Sequence, residues 1–175
     1  ELSVAIQTAD CLPVLLVDPQ QRVVAAVHAG WRGTIQRIAA KAVHRMQKDF
    51  GSRPSRCLAV VGPAIRRCCY EVGEEVVEAF TKEFGHSAGF FCETPTSKAT
   101  RANSQCVDLA EACRSQLLDA GMAVEKIFTE GPCTACEKEL FFSHRADASK
   151  AGRMMSVIGI VGADVGRADV SSEIT

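Results

Sequence analysis

Residues 8–33 read TADCLPVLLVDPQQRVVAAVHAGWRG, and the pattern of this stretch decides the fold. Two apolar runs, Pro13 to Val17 and Val23 to Val27, flank Asp18-Pro19-Gln20-Gln21, so the spacing predicts two adjacent buried strands joined by a turn. Cys11 stands just before the first run and His28 just after the second. A tight reversal sets the start of one strand beside the end of the next, so these two residues become neighbours. A thiol beside an imidazole is a metal-ligand pair or a nucleophile with its base, and spacing alone leaves both readings open.

Outward from this stretch the chain alternates between strand and helix patterns. Leu2 to Ile6 reads as a strand that opens almost at Glu1. Gly33 to Phe50 reads as one helix, with Ile35, Ile38, Ala39, Ala42, Val43 and Met46 on its apolar face. Cys57 to Val61 is a strand stopped by Gly62-Pro63, and Gly73 to Phe84 a helix ended by Gly85. A brief strand is expected over 86–91 and a polar loop from Thr94 to Asn103. Asp108 is placed to cap a helix carrying Leu109, Ala112, Cys113 and Leu117, with Glu111 suggesting a capping box and Gly121 closing it. Val124 to Phe128, Leu140 to Ser143 and Met155 to Val161 complete the expected strands. Elements intermixed in this way point to an α/β chain of the α+β type, with mixed sheets and helices outside them.

Composition narrows the function classes. The chain has 175 residues, 47% hydrophobic and 23% charged, with a net charge of −1. That is enough chain for one sizeable core. Residues 1–161 are read as a single domain and 162–175 as a frayed tail. The near-neutral charge gives no electrostatic case for nucleic acid or an anionic membrane, so a small-molecule partner is expected. No apolar run approaches a membrane span and no signal-peptide pattern opens the chain, which is read as cytoplasmic. Without an export signal, most of the nine cysteines are expected to be reduced structural thiols, Cys57 and Cys113 among them.

Several clusters can carry chemistry. His28-Ala29-Gly30-Trp31-Arg32-Gly33 lies between a strand and a helix, where two glycines, helix-opening amides and the Arg32 fork suit an anion. The bland alternative is a tight turn with an exposed Arg32 and a packed Trp31. Asp10 can orient an imidazole or take a proton, or simply cap a turn. Cys133-Thr134-Ala135-Cys136 has ligand spacing, but a structural zinc site wants a second pair and no later one follows, so the reading is structural or peripheral to a pocket. Arg145 and Arg153 flank a short connection and can close a polar pocket; solvated arginines beside a turn are the alternative. His44 is expected on the solvated helix face, and His86 in a loop without a role.

Taken together, these residues resemble the YfiH-like family, also called the laccase-domain or multicopper polyphenol oxidoreductase family. The matching pieces are Thr8-Ala9-Asp10-Cys11-Leu12-Pro13, His28 to Gly33, Gly62-Pro63-Ala64-Ile65, Tyr70-Glu71-Val72-Gly73, Cys133-Thr134, and Phe141 to Arg145 with Gly152-Arg153. The resemblance implies sheets covered by helices and an enzyme of purine nucleoside metabolism. Such an enzyme phosphorolyses adenosine, inosine, guanosine and methylthioadenosine, deaminates adenosine, and holds zinc through one Cys and two His. Cys11 and His28 match two of these ligands, and with Asp10 they are the implied catalytic residues. Arg32, Gly30, Gly33 and Arg145 are the implied substrate and phosphate contacts. His144 stands where the family carries Arg or an aromatic residue. The remaining family His lies in a Gln-x-His-Gly-like motif ahead of Thr8, whereas no His precedes His28 here, so the chain is expected to lack an N-terminal segment. Three alternatives stay open: a copper-dependent phenol oxidase, a thiolate hydrolase using Cys11 with His28, and a non-catalytic core.

Overall fold

Both apolar runs of the opening stretch become strands of one sheet, each lengthened by pairing. The computed structural model describes residues 2–85, 89–93 and 105–162. After β1 (Leu2–Thr8) come β2 (Leu12–Asp18) and β3 (Val23–Ala29), antiparallel, with Leu12 opposite Ala29 and Asp18 opposite Val23. The connection is set by Asp18, whose Oδ1 accepts from the amides of Gln20 and Gln21 at 2.9 and 3.1 Å. Arg22 completes the reversal at φ 54°.

β2 is covered because it has a strand on either side. β4 (Leu58–Val61) pairs with its other edge, antiparallel, and β8 (Ile127–Phe128) adds to β4 in parallel. The order is β3-β2-β4-β8, and Leu12, Val14 and Leu16 of β2 are each 0% exposed. β1 pairs along its whole length with β9 (Met154–Ile160) as a separate antiparallel ribbon. A third sheet, β5-β7-β6, joins β5 (Glu71–Val72), β7 (Gln105–Val107) and β6 (Phe91–Glu93). These mixed sheets, with helices packed on them, bear out the expected fold class. No helix among the described residues is long and apolar enough to cross a membrane.

The helices follow the apolar periodicity, with one interruption. The helix expected over 33–50 is two: α1 (Trp31–Ile35) and α2 (Ile38–Phe50). Arg37 between them is left-handed at φ 57°, and its guanidinium bonds Glu83 at 2.6 Å and Asp119 at 3.1 Å. Tertiary ion pairs thus hold a break that side-chain spacing cannot show. Val43 and Met46 of α2 are buried as the pattern requires, and His44 is exposed. α3 (Glu74–Phe84) buries Phe80, which meets Phe91 edge-on.

α4 (Leu109–Asp119) is capped by Asp108, whose Oδ1 accepts from Glu111 N at 3.0 Å. The reciprocal half of a capping box does not form. Asp108 N donates to Phe90 O, and Glu111 bonds Arg114. Buried Gln116 reaches from α4 to Thr34 O at 2.6 Å, tying it to α1.

Two expected strands are corrected. Leu140 to Ser143 is a turn, closed by the amides of Leu140 and Phe141 on Glu137 O at 3.0 Å each, and Ser143 caps the short α5 (His144–Asp147). Of Val124 to Phe128, the first three residues form a 3-10 turn, because only Ile127 and Phe128 reach β4. The strand expected over 86–91 begins at Phe91, and its residues 86–88 lie outside the described residues, as do His86, the 94–103 loop and the tail from 163 onward.

Candidate functional site

The β2–β3 register places Pro13 opposite His28, and its continuation sets Cys11 opposite Gly30. Residues opposed across a ladder share a face, as do residues two apart on a strand, so Cys11 and His28 lie on one face. A Cβ on Gly30 would sit 3.0 Å from Cys11 Sγ, so the thiol lies directly over that glycine. Cys11 is half-buried and His28 exposed. Burial pushes the Cys11 thiol up from its ordinary value and the Asp10 carboxylate adds to this, against Arg153. A thiol held in that form is a poor free nucleophile, which gives no support to the hydrolase dyad. Sulfur and imidazole nitrogen on one face do fit zinc, although a catalytic zinc normally takes three protein ligands.

Asp10 supplies no further ligand, because its oxygens are engaged. It is buried at φ 81°, a conformation that Asp adopts more readily than most residues. Its Oδ1 accepts from Thr134 Oγ1 and its Oδ2 from Arg145 N, both at 2.6 Å, while its carbonyl accepts from Ile65 N at 2.9 Å. A single residue thereby fastens three distant segments beside Cys11.

Those segments form one wall of a cleft of about 370 Å³ lined by Trp31, Tyr70, Glu71, Glu75 and Arg145, among others. The Arg145 guanidinium lies 5.3 Å from the Tyr70 ring centre and donates to Cys69 O at 3.1 Å. Arg32 lies over Trp31 at 4.3 Å. Burial pushes the Tyr70 hydroxyl up to about 12, with Cys11 and Asp10 adding to this and Arg145 and Arg32 opposing it. Arg145 thus lies over Tyr70 and meets Asp10, the neighbour of Cys11, through its amide, while Arg32 lies over Trp31 across the cleft lining. Gly33 lies apart from this set: a Cβ there would press on Ile38 Cγ2 at 3.3 Å, a packing reason for glycine inside α1.

The sequence reading assigned no role to Tyr70 or Thr134, and it overlooked Cys68-Cys69. The sulfurs of Cys68, Cys69, Cys133 and Cys136 all lie within 4.8 Å of one another. The second pair that Cys133 and Cys136 needed stands upstream, as adjacent residues. The available signal is a Cys-Cys doublet that starts three residues after Ile65, the last residue of the Gly62-Pro63-Ala64-Ile65 motif, with no apolar segment to bury it. Burial pushes the Cys133 thiol up, but amides directed at it from Arg66, Cys136 and Ala135 outweigh this and leave it below its ordinary value. Cys57 and Cys113 are buried, as expected of structural thiols, and none of the nine cysteines forms a disulfide.

Comparison with known proteins supplies the family. A family model described as multi-copper polyphenol oxidoreductase laccase matches residues 1–161. Purine nucleoside phosphorylase YlmD of Bacillus subtilis is 39% identical over 152 residues, covering 87% of this chain and 52% of that protein. Adenosine deaminase RL5, from an unknown prokaryotic organism, is 40% identical over 156 residues, covering 89% and 56%. The crystal structure of Bacillus licheniformis hypothetical protein YfiH superposes with a TM-score of 0.82 at 38% identity, covering 91% of this chain and 58% of that one. The chain thus spans somewhat over half the length of these relatives. Fold, motif order and match together show that it belongs to the multi-copper polyphenol oxidoreductase laccase family, that of the YfiH and YlmD proteins.

Proposed function

We propose that the cleft binds a purine nucleoside and phosphate, and that the protein is a purine nucleoside phosphorylase that also deaminates adenosine and phosphorolyses methylthioadenosine. The observation that carries this reading is a cleft of nucleoside size lined by Trp31, Tyr70 and Arg145, with Arg145 bonded through its amide to Asp10, the neighbour of Cys11. Relatives named purine nucleoside phosphorylase and adenosine deaminase support it.

Each residue has a physical role in this proposal. Trp31 and Tyr70 offer aromatic faces to a purine. Arg32 and Arg145 attract phosphate and hold it in line with the glycosidic carbon. Phosphate oxygen forms the new bond to that carbon as the carbon–nitrogen bond breaks, and the departing purine nitrogen takes the electron pair and then a proton. Asp10 positions the wall through Thr134 and the Arg145 amide, without touching substrate. Cys11 and His28 are two ligands for zinc, which when bound supplies Lewis-acid activation of water for deamination. α1, at five residues, brings little dipole, so phosphate affinity rests on the guanidinium groups. Copper oxidation of phenols is the weaker reading: the chain has four histidines, and among the described residues only the four cysteines gather three or more metal donors.

The test is incubation of the purified chain with zinc and adenosine, with and without phosphate, with products identified by mass spectrometry. Phosphate-dependent adenine and ribose 1-phosphate, or inosine, are expected, and both are lost in Cys11→Ala. A chain that binds no nucleoside and turns none over overturns the proposal.

A further inference from the structure

We propose that Cys68, Cys69, Cys133 and Cys136 form a second metal centre, a closed tetrathiolate site for Zn2+ that staples together the two loops walling the cleft. Zinc bonded to four thiolates at ~2.3 Å in a tetrahedron sets its sulfurs about 3.8 Å apart. Here Cys68 Sγ and Cys136 Sγ are 3.7 Å apart, Cys69 Sγ and Cys136 Sγ 3.4 Å, and all four sulfurs lie within 4.8 Å of one another. Two of the six sulfur–sulfur distances are thus near the edge length of such a tetrahedron, and none of the others exceeds 4.8 Å. A disulfide would engage only two of them, and an all-sulfur set selects a thiophilic cation over magnesium or calcium.

The surroundings match the charge of that centre. Binding Zn2+ displaces four thiol protons to solvent and leaves a net charge of −2 on the complex. Arg66 N donates to Cys133 Sγ at 3.4 Å, the kind of amide contact that orients a ligating sulfur. The Arg66 guanidinium donates to Gly62 O at 3.2 Å and faces the Asp108 carboxylate and then Cys133 and Cys68, while its buried Nε bonds nothing among the described residues. A zinc tetrathiolate would add negative charge beside this cation, which already faces Asp108.

The position of the site states what it does. Cys69 precedes Tyr70 and its carbonyl accepts from Arg145; Cys133 precedes Thr134, which donates to Asp10. Ala64 and Cys133 are bridged by backbone pairing, with Thr134 N on Ala64 O at 3.1 Å. Closing the tetrahedron therefore locks the segment bearing Tyr70 onto the segment bearing Thr134 and Arg145. The link from stapling to catalysis rests on the reading of the cleft as a nucleoside site, whereas metal binding at the four thiols stands without it.

The experiment uses the full 175-residue chain, reduced and stripped of metal, with Co2+ as the spectroscopic probe and Zn2+ as competitor. One equivalent of Co2+ is expected to give tetrahedral d–d bands and sulfur-to-cobalt charge transfer of about four thiolate bonds' intensity. Zn2+ should abolish both and raise the thermal midpoint. The Cys68→Ala/Cys69→Ala pair and Cys136→Ser should lose that signal, whereas Cys11→Ala keeps it. Cys136 is exposed, so its substitution leaves the core intact and separates loss of ligand from loss of fold. Absence of charge transfer in the unsubstituted chain, its persistence in Cys136→Ser, or uptake of copper(I) but neither Co2+ nor Zn2+ overturns the proposal. Cys11→Ala that abolishes nucleoside turnover while keeping the cobalt spectrum separates this site from the proposed catalytic one.

Discussion

Two regions meet at the cleft, and they are held by different forces. The floor lies behind the cleft lining rather than in it: it is the β3-β2-β4-β8 sheet, which ends beside Cys11 and His28 and whose β2 places Leu12, Val14 and Leu16 wholly out of water. The wall is the pair of segments around 62–70 and 131–145, which carry two helical residues in sequence only at α5 and little strand. Long-range polar links fasten it: Thr134 to Asp10 across 124 residues, and Arg145 to Asp10 across 135. Burial fixes the floor without reference to particular partners, whereas each link in the wall depends on one atom meeting another. Substitutions in the floor should therefore change stability in proportion to volume removed, and those in the wall should change site geometry beyond their effect on stability.

Leu16→Ala makes the largest expected change in the first class. It empties a site at 0% exposure in the middle strand and should lower unfolding free energy by about 3 kcal/mol. Urea denaturation measures this. Leu16 lies towards the Asp18 end of β2, away from Cys11, so turnover per folded molecule should remain within about two-fold of the unsubstituted chain, well short of the ten-fold that 1.4 kcal/mol at the barrier would bring. A ten-fold fall in turnover of the folded fraction would mean that floor and wall are not separable.

The same division explains what was legible in sequence. Alternating and continuous apolar runs announce strands because burial acts on residue type, so β1, β2, β3, β9 and the face of α4 were readable. Cys11 and His28 were readable as neighbours because one turn links their strands. Arg37 was not, since its left-handed backbone is held by Glu83 and Asp119 on other helices. Nor was the thiol cluster, whose two halves come together only when Ala64 pairs with Cys133. The apolar residues of Leu140 to Ser143 suit a strand in sequence, but no strand pairs with them among the described residues, and Leu140 is 73% exposed.

In the wall, Asp10→Asn tests the link most directly. Asn tolerates the left-handed backbone, so the change isolates the carboxylate. Asn keeps its Oδ1 on the Arg145 amide and turns its NH2 to Thr134 Oγ1, which then accepts, so both contacts lose the charge and the buried Thr134 hydroxyl loses its acceptor. A loss of about 2 kcal/mol is expected, together with a fall in nucleoside turnover larger than Leu16→Ala produces. Adding Thr134→Val should contribute less than its own single effect, because the partners share one link. Strict additivity would show that the wall is fastened elsewhere.

Asp18 sharpens the comparison at the far end of β2, where a polar link does belong to the floor. Burial pushes its carboxyl up, but hydrogen bonds led by the Gln21 amide, with Ser52, Gln20 and Arg53 after it, outweigh this, so its folded value lies below the ordinary one. A group with a depressed folded value stabilises above its unfolded value, and that contribution vanishes as pH falls through the folded value. Asp18→Asn should therefore cost about 1.5 kcal/mol at pH 7, and the gap from the unsubstituted chain should close below about pH 4. A gap independent of pH would assign the effect to turn geometry alone.

Gly30→Ala has the smallest expected effect on stability and falls where floor and wall touch. Gly30 has φ −80° and ψ 178°, extended backbone that alanine adopts, so restricting the unfolded chain favours the variant by about 0.5 kcal/mol. Against this, the new Cβ meets Cys11 Sγ at 3.0 Å, and the sulfur must turn aside. The two terms nearly cancel, and the denaturation midpoint should scarcely move. What moves is the thiol: displaced from its position over Gly30, it no longer shares a metal ion with His28 in the proposed geometry. Zinc affinity at that pair and nucleoside turnover should both fall by at least ten-fold, while the cobalt spectrum of the four-cysteine cluster stays unchanged. Unaltered turnover would place the chemistry away from Cys11, in the part of the cleft that Tyr70 and Arg145 line.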